Sequence, residues 1–412
     1  MEKVIHIDSD ILGCTPVFWG TCIPVKNLFT MIILLVISGC GEGKQSTDDL
    51  ITVDVTKSYP KKELILQEFM DVEYIPLETN DEFLCQNMVR DIGKNLIAVT
   101  NLNSDGDIFI FDRNGKGIRK INRKGQGGEE YLRIFNILLD EDNGEMIVND
   151  AMMKKLIVYN LFGKFKRSFQ YQEGSKYEHI YNFDKEKLIC RDDVFNAFSK
   201  PPYSEITDKS PFLLISKKDG RIVKEIKIPF IQQKTVTIRG DRQIALINYF
   251  PILPFQDNFI LAEHSSDTLF RYMPDHRMIP FLVRTPSIQS MNPEVFLFPR
   301  MLTDRYYFLE TIKKEYDFKP DSEFPSKELV YDVQDKEVYE YVVFNEDFTK
   351  KREVDLKRPA SNSEIAYWQT FNAYELVELY EKGGLKGKLK DVAAKLNVED
   401  NPVNMIVKHK KI

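Results

Sequence analysis

A repeat constrains this chain more than any other feature. Residues 108–121 align without gaps on residues 156–169, an offset of 48 positions. Each copy is an apolar strand, a turn whose glycine (Gly115, Gly163) is free to take a positive φ, and a strand of alternating character, which predicts a β-hairpin. A weaker third copy spans 212–226, and its Gly220 stands 57 positions beyond Gly163, so an insertion separates them. Two further strand candidates precede each hairpin, at 88–92 and 96–99 and again at 134–139 and 146–148. Four strands per repeat at this period predict propeller blades. A lone blade cannot bury both faces, and a ring of blades solves that problem. Later strands are expected near 187–190, 245–250, 257–261, 267–273, 278–284, 305–312, 328–333 and 338–344, and residues 66–412 leave room for about six blades.

The carboxyl end changes character. Ser361, Asn362, Ser363 and Glu364 have capping-box spacing and are followed by Ile365, Trp368, Leu376 and Leu379 at helical intervals. Leu385, Leu389, Val392 and Leu396 suggest a second helix, so two helices are expected over about 361–397, packed on the propeller. Asn401 and Pro402 end the helical pattern, and 402–408 reads as a strand able to close the ring beside 72–78. Such closure hides two sheet edges.

The amino end carries an apolar run from Leu28 to Gly39 that stops at Cys40. It is well short of the roughly 20 residues that span a bilayer, and Ile37, Ser38 and Gly39 before the cysteine resemble a bacterial lipobox. On this reading Cys40 is the lipidated residue, 25–39 is a signal peptide, and 40–65 is the tether between lipid and domain. Residues 1–24 contain Glu2, Asp8 and Asp10, unlike the charged start of a signal peptide, so they read as an over-extended gene start before Val25.

Charge narrows the partners. The formal net charge of −6 comes without a basic run, which excludes the electrostatic footprint of a nucleic-acid binder. Cys85 and Cys190 lie in apolar stretches and are expected in the core. Gly125 and Gly127 lack the third glycine of a dinucleotide loop, Glu130 standing in its place, and neither a zinc-protease helix motif nor a nucleophile elbow occurs. No catalytic residue, metal site or cofactor is therefore expected.

Several stretches resemble the six-bladed β-propeller lipoproteins of Bacteroidetes, which are related in shape to NHL-type propellers. They are Tyr74 to Thr79, the turn Phe111 to Lys116, Gly125 to Tyr131, and Asn401 to Val403. Where that family usually has a Pro-Gly pair in the third stretch, this chain has Gly128 and Glu129. The resemblance implies an all-β, six-bladed propeller of four-stranded antiparallel blades and export as a lipoprotein.

Within that fold, residues 122–133 join one blade to the next across a face of the ring. Arg123, Lys124, Glu129, Glu130 and Tyr131 are therefore the candidate ligand-binding residues, with charged hydrogen-bonding groups and an aromatic platform. Arg90, Asn136 and Asn182 on inner strands are candidate channel-lining residues. The expected function is non-catalytic binding or scaffolding of a glycan, peptide or envelope protein by a lipid-anchored, outer-membrane propeller, with the periplasmic face preferred over the cell surface. The alternative is a propeller hydrolase or lyase with carboxylates or calcium at the channel mouth.

Overall fold

A computed structural model describes residues 50–86, 88–193, 210–358 and 362–410, together with two short strands, Ile5–His6 and Val17–Phe18, that pair with each other. The expectations for Val25, the signal segment and Cys40 lie outside the described residues.

Residues from Leu50 onward form a six-bladed β-propeller. The first three blades are four-stranded antiparallel meanders. They comprise Met88–Ile92, Leu96–Thr100, Asp107–Asp112 and Gly117–Asn122; then Asn136–Asp140, Glu145–Asp150, Lys155–Asn160 and Phe165–Gln170; then Tyr177–Asn182, Lys187–Asp192, Phe212–Ser216 and Ile222–Ile226. The fourth blade begins Ile252–Phe255 and ends Met278–Thr285, and the fifth begins Val295–Leu302 and ends its meander with Glu337–Asn345. The sixth has three strands, Ile365–Phe371, Val403–His409 and Met70–Pro76.

Burial follows position within the blade. The third strands Asp107–Asp112 and Lys155–Asn160 are covered on both faces, whereas the outer strands Gly117–Asn122 and Phe165–Gln170 alternate between exposed and covered residues. Apolar side chains fill each seam between neighbouring blades. Ile108 and Ile110 of the first blade meet Ile137 and Met146 of the second, and Tyr181 and Phe212 of the third meet Leu261 and Phe270 of the fourth. Each such side chain contributes about 1.5–3 kcal/mol when fully removed from water. The repeat glycines belong to this packing as well as to the turns. Gly163 has φ +79°, and a Cβ there would meet Ile121 of the preceding blade at 3.0 Å; at Gly220, with φ +72°, it would meet the Phe169 ring at 2.1 Å.

The amino-terminal segment is not a tether along its whole expected length of 40–65. Ile51–Asp54 adds in parallel to Met278–Thr285 at the edge of the fourth blade, and Lys61–Ile65 adds in parallel to Glu337–Asn345 of the fifth. Val53 and Leu64 are buried, which gives these strands a reason to dock. Met70–Pro76 then pairs antiparallel with Val403–His409, so an early and a late segment of the chain share the sixth blade.

The sixth blade also corrects the helix expected from residue 361. Ile365–Phe371 is a strand, because Ile365, Tyr367 and Phe371 are buried at even spacing and the segment pairs with Val403–His409. The helices are Ala373–Glu381 and Gly387–Ala393, inserted between the blade's first two strands and packed through Leu376 and Leu389. A second correction concerns 245–250. Ile244–Leu246 pairs with Thr237–Arg239 in a hairpin of the connection between the third and fourth blades, outside both blade sheets.

Candidate functional site

Two cavities occupy the central channel, one toward each end. One, of about 590 Å³, takes in Met88 and Arg90 from the start of the first blade's inner strand together with Trp368 and Thr370 from the end of the sixth's. The other, of about 500 Å³, takes in Asp91 and Gly93 together with Asn362 and Glu364. The sixth inner strand therefore runs opposite to the first. Strand parity explains this: a four-stranded meander enters and leaves at the same end, whereas a three-stranded one leaves at the opposite end. Chain leaving Met70–Pro76 can then begin the first blade from the proper face.

The 590 Å³ cavity has the composition of a recognition site. Its wall carries Arg90 and Arg358, the rings of Phe135, Phe250 and Trp368, and the amides of Gln86, Asn136 and Asn248, and among the described residues no aspartate or glutamate lines it. Arg90 Nε donates to Thr100 Oγ1 at 2.7 Å and Nη1 donates to the Phe135 carbonyl at 3.1 Å. Burial first, and then the neighbouring Arg133 guanidinium, push Arg90 below its ordinary value. The Arg358 guanidinium lies 5.4 Å from the Trp368 ring centre, a cation–π geometry. His179 packs edge-on to Phe250 at 5.9 Å, and burial followed by the Arg191 charge pushes its imidazole down to about 4. At neutral pH the fixed charge of this wall is positive.

At the other end carboxylates outnumber lysines, and many of the carboxylates are committed to the fold. Asp91 accepts from the Leu139 amide at 2.6 Å, and Glu141 accepts from the Asn95 and Leu96 amides at 3.1 Å. Asp140 pairs with Lys217 at 2.6 Å, both buried, across the seam between the second and third blades. Among the described residues, no cluster of three or more His, Cys, Asp or Glu is arranged to hold a metal ion.

The expected binding loop is tied down by its own polar groups. Tyr131 is fully buried; its hydroxyl donates to the Gly106 carbonyl at 2.7 Å and accepts from the Arg123 amide at 2.9 Å. Its ring meets Tyr159 edge-on, so it offers no platform to a ligand. Arg123 Nε reaches the Gly163 carbonyl, Lys124 Nζ donates to the Ser104 carbonyl at 2.7 Å, and Glu130 accepts from the Gly127 amide at 2.8 Å. Glu129 is exposed, and its own carbonyl accepts from Tyr159 Oη. The side chains of Arg123, Lys124, Glu130 and Tyr131 therefore go to separate partners. The physical reason is that a connection with three glycines exposes many amides and carbonyls, and the nearby polar side chains satisfy them.

Of the channel residues, Arg90 and Asn136 line the 590 Å³ cavity and Asn182 lines the other. Asn182 Nδ2 also donates to the Leu139 carbonyl at 2.9 Å, tying the third inner strand to the second. Sequence reasoning missed Trp368, Arg358, Phe250 and Asn248. Trp368 could have been found from the even spacing of buried residues around it, whereas the others sit in connections without a repeat register.

A family model described as Domain of unknown function (DUF4934) matches residues 50–408. Among solved structures, a protein of Bacteroides fragilis described as exported is 14% identical, with a TM-score of 0.56 over 88% of this chain and 99% of its own. A member of the DUF4221 family from Bacteroides vulgatus is 13% identical, with a TM-score of 0.46 over 84% of this chain and 98% of its own. Identities this low show the fold alone. No curated protein matches the sequence.

Proposed function

We infer that this chain, which belongs to the family described as Domain of unknown function (DUF4934), is a non-catalytic binding module of the cell envelope that takes its ligand in the 590 Å³ mouth of the propeller channel. The observation that carries this reading is the mouth itself: aromatic rings, amides and two arginines converge there, and among the described residues no carboxylate lines it. Its volume falls within the roughly 300–1,000 Å³ of small-molecule sites. The envelope location draws on the lipobox-like run ending at Cys40 and on the exported description of the B. fragilis structure. Lipidation at Cys40 would confine the ring near envelope partners and raise their effective concentration without a new contact.

The sequence has two tryptophans, Trp19 and Trp368. A Trp19→Phe chain therefore reports on the mouth alone. Acrylamide quenching of that chain is measured against a panel of soluble envelope oligosaccharides and peptides, with each ligand checked afterwards by mass spectrometry. Saturable protection of Trp368 by one class, with the ligand unchanged, is expected. Cleavage of the ligand, or no protection from any class, would contradict the reading.

A further inference from the structure

Resting on the mouth as a binding site, we propose that its ligand is a glycan bearing carboxylates, that is, a polysaccharide containing uronic acids, held by Arg90 and Arg358 through its carboxylates and by Trp368 and Phe135 through its sugar faces. Charge is the first argument. The chain as a whole is acidic, at −6, yet among the described residues this cavity wall holds two guanidinium groups and no carboxylate. Among the described residues neither Arg90 nor Arg358 has an ion pair, and Arg133 adds a third guanidinium whose charge is felt at Arg90. Anions would be repelled by most of the surface and drawn to this one end. At the opposite end of the channel the carboxylates reverse the sign.

Geometry gives the second argument. Arg90 spends Nε and Nη1 on Thr100 and Phe135, which fixes the plane of the guanidinium, and no hydrogen bond among the described residues engages Nη2. A planar fork held in this way suits a carboxylate. Arg358 is exposed and lies over Trp368, so a planar cation and a ring stand side by side at the rim.

The neutral wall gives the third. Phe135 is 47% exposed, although large apolar rings are normally covered, and it adjoins Asn136 on the same rim. Gln86, Asn136 and Asn248 bring amide donors to the wall; Gln86 Oε1 and Asn136 Oδ1 already accept from the Leu102 and Ile137 amides, and the Thr370 hydroxyl donates to Asn404, each oxygen keeping a second lone pair. A ligand dense in hydroxyls can use both kinds of group at every ring, whereas a peptide offers one backbone donor and acceptor per residue. Sugar rings also present flat C–H faces to aromatic side chains. The combination favours an acidic glycan over an acidic peptide.

The test titrates the full-length Trp19→Phe chain with oligomers of galacturonate, of mannuronate and guluronate, and of glucuronate-containing disaccharides. Each is compared with its carboxyl-reduced, neutral counterpart and with poly-glutamate, and Trp368 fluorescence is the readout. At least one uronate series is expected to bind saturably, more weakly as salt rises, and about tenfold or more tighter than its reduced form, as charge-assisted hydrogen bonds imply. Arg90→Gln and Arg358→Gln should each narrow that preference, weakening the uronate oligomer more than its reduced form, and Arg90→Lys should restore part of it. Thermal melts exclude unfolding of the variants. Equal binding of acidic and reduced oligomers overturns the proposal and leaves the binding reading standing. Binding of poly-glutamate without any uronate overturns it in favour of an acidic peptide. Failure of every probe to move Trp368 overturns both.

Discussion

Asn401 is the side chain whose removal tests the ring closure most sharply. It is 1% exposed, and its amide reaches three backbone groups of the connection that carries the chain from the sixth blade to the first. Oδ1 accepts from the Cys85 amide at 2.9 Å, while Nδ2 donates to the Glu78 carbonyl at 2.7 Å and to the Phe83 carbonyl. Asn401→Ala removes these three hydrogen bonds. At about 1–1.5 kcal/mol for each hydrogen bond lost, the loss is about 3–5 kcal/mol. An unfolding entropy of about 2.1 cal/mol/K per residue over the domain converts this to a fall in Tm of roughly 4–7 °C. Differential scanning calorimetry measures it. Asn401→Asp sharpens the test, since it keeps the shape and the acceptor but turns a carboxylate oxygen toward two carbonyls. It should destabilise at least as much as alanine. A Tm within 1 °C of the parent for either variant, or rescue by aspartate, would refute the reasoning.

Further outcomes follow from the buried polar groups and the turns. Arg191 and Glu263 pair at 2.7 Å, each 2% exposed in its side chain, between the third and fourth blades. Arg191→Met should cost about 3–5 kcal/mol in denaturant unfolding because it strands a buried carboxylate, and Arg191→Met combined with Glu263→Leu should recover most of that. Burial raises the Glu263 carboxyl, but Arg191 and His264 outweigh it and hold the group at about 2, below its ordinary 4.5. The charged form is thus favoured by folding: the stabilisation is complete above pH 4.5 and is lost as pH falls toward 2. It amounts to about 3 kcal/mol, and Glu263→Gln should flatten this part of a pH–stability curve. Gly220→Ala should lower Tm measurably, since a Cβ there meets the Phe169 ring at 2.1 Å on a backbone with φ +72°. Burial pushes the Cys190 thiol well up, so maleimide should label it only on unfolding, and rapid labelling of the native protein would contradict its place in the core.

The first three blades were legible because their hairpins repeat a turn that only glycine fits, by φ at Gly163 and by contact with the preceding blade. Legibility ended where the repeat met other demands. At Ser361 to Glu364 a capping-box pattern stands before a strand, since local side-chain chemistry cannot outweigh pairing of Ile365–Phe371 with Val403–His409 across an inserted pair of helices. The strands Ile51–Asp54 and Lys61–Ile65 are short, and their partners lie more than two hundred residues away in sequence. Tyr131 had the composition of a binding residue but serves the backbone, as its two hydroxyl hydrogen bonds show. Arg90 was placed correctly on an inner strand by the repeat register. Arg358 and Phe250 come from connections, where no period indicates what faces the channel.

The most direct measurement is a crystal structure of the chain grown with a galacturonate tetramer. Density for the sugar over Trp368, with a carboxylate on the Arg90 guanidinium and another near Arg358, is the predicted result. A sugar seated on the 122–133 connection or at the acidic end of the channel, with the Arg90 mouth empty, would contradict the account.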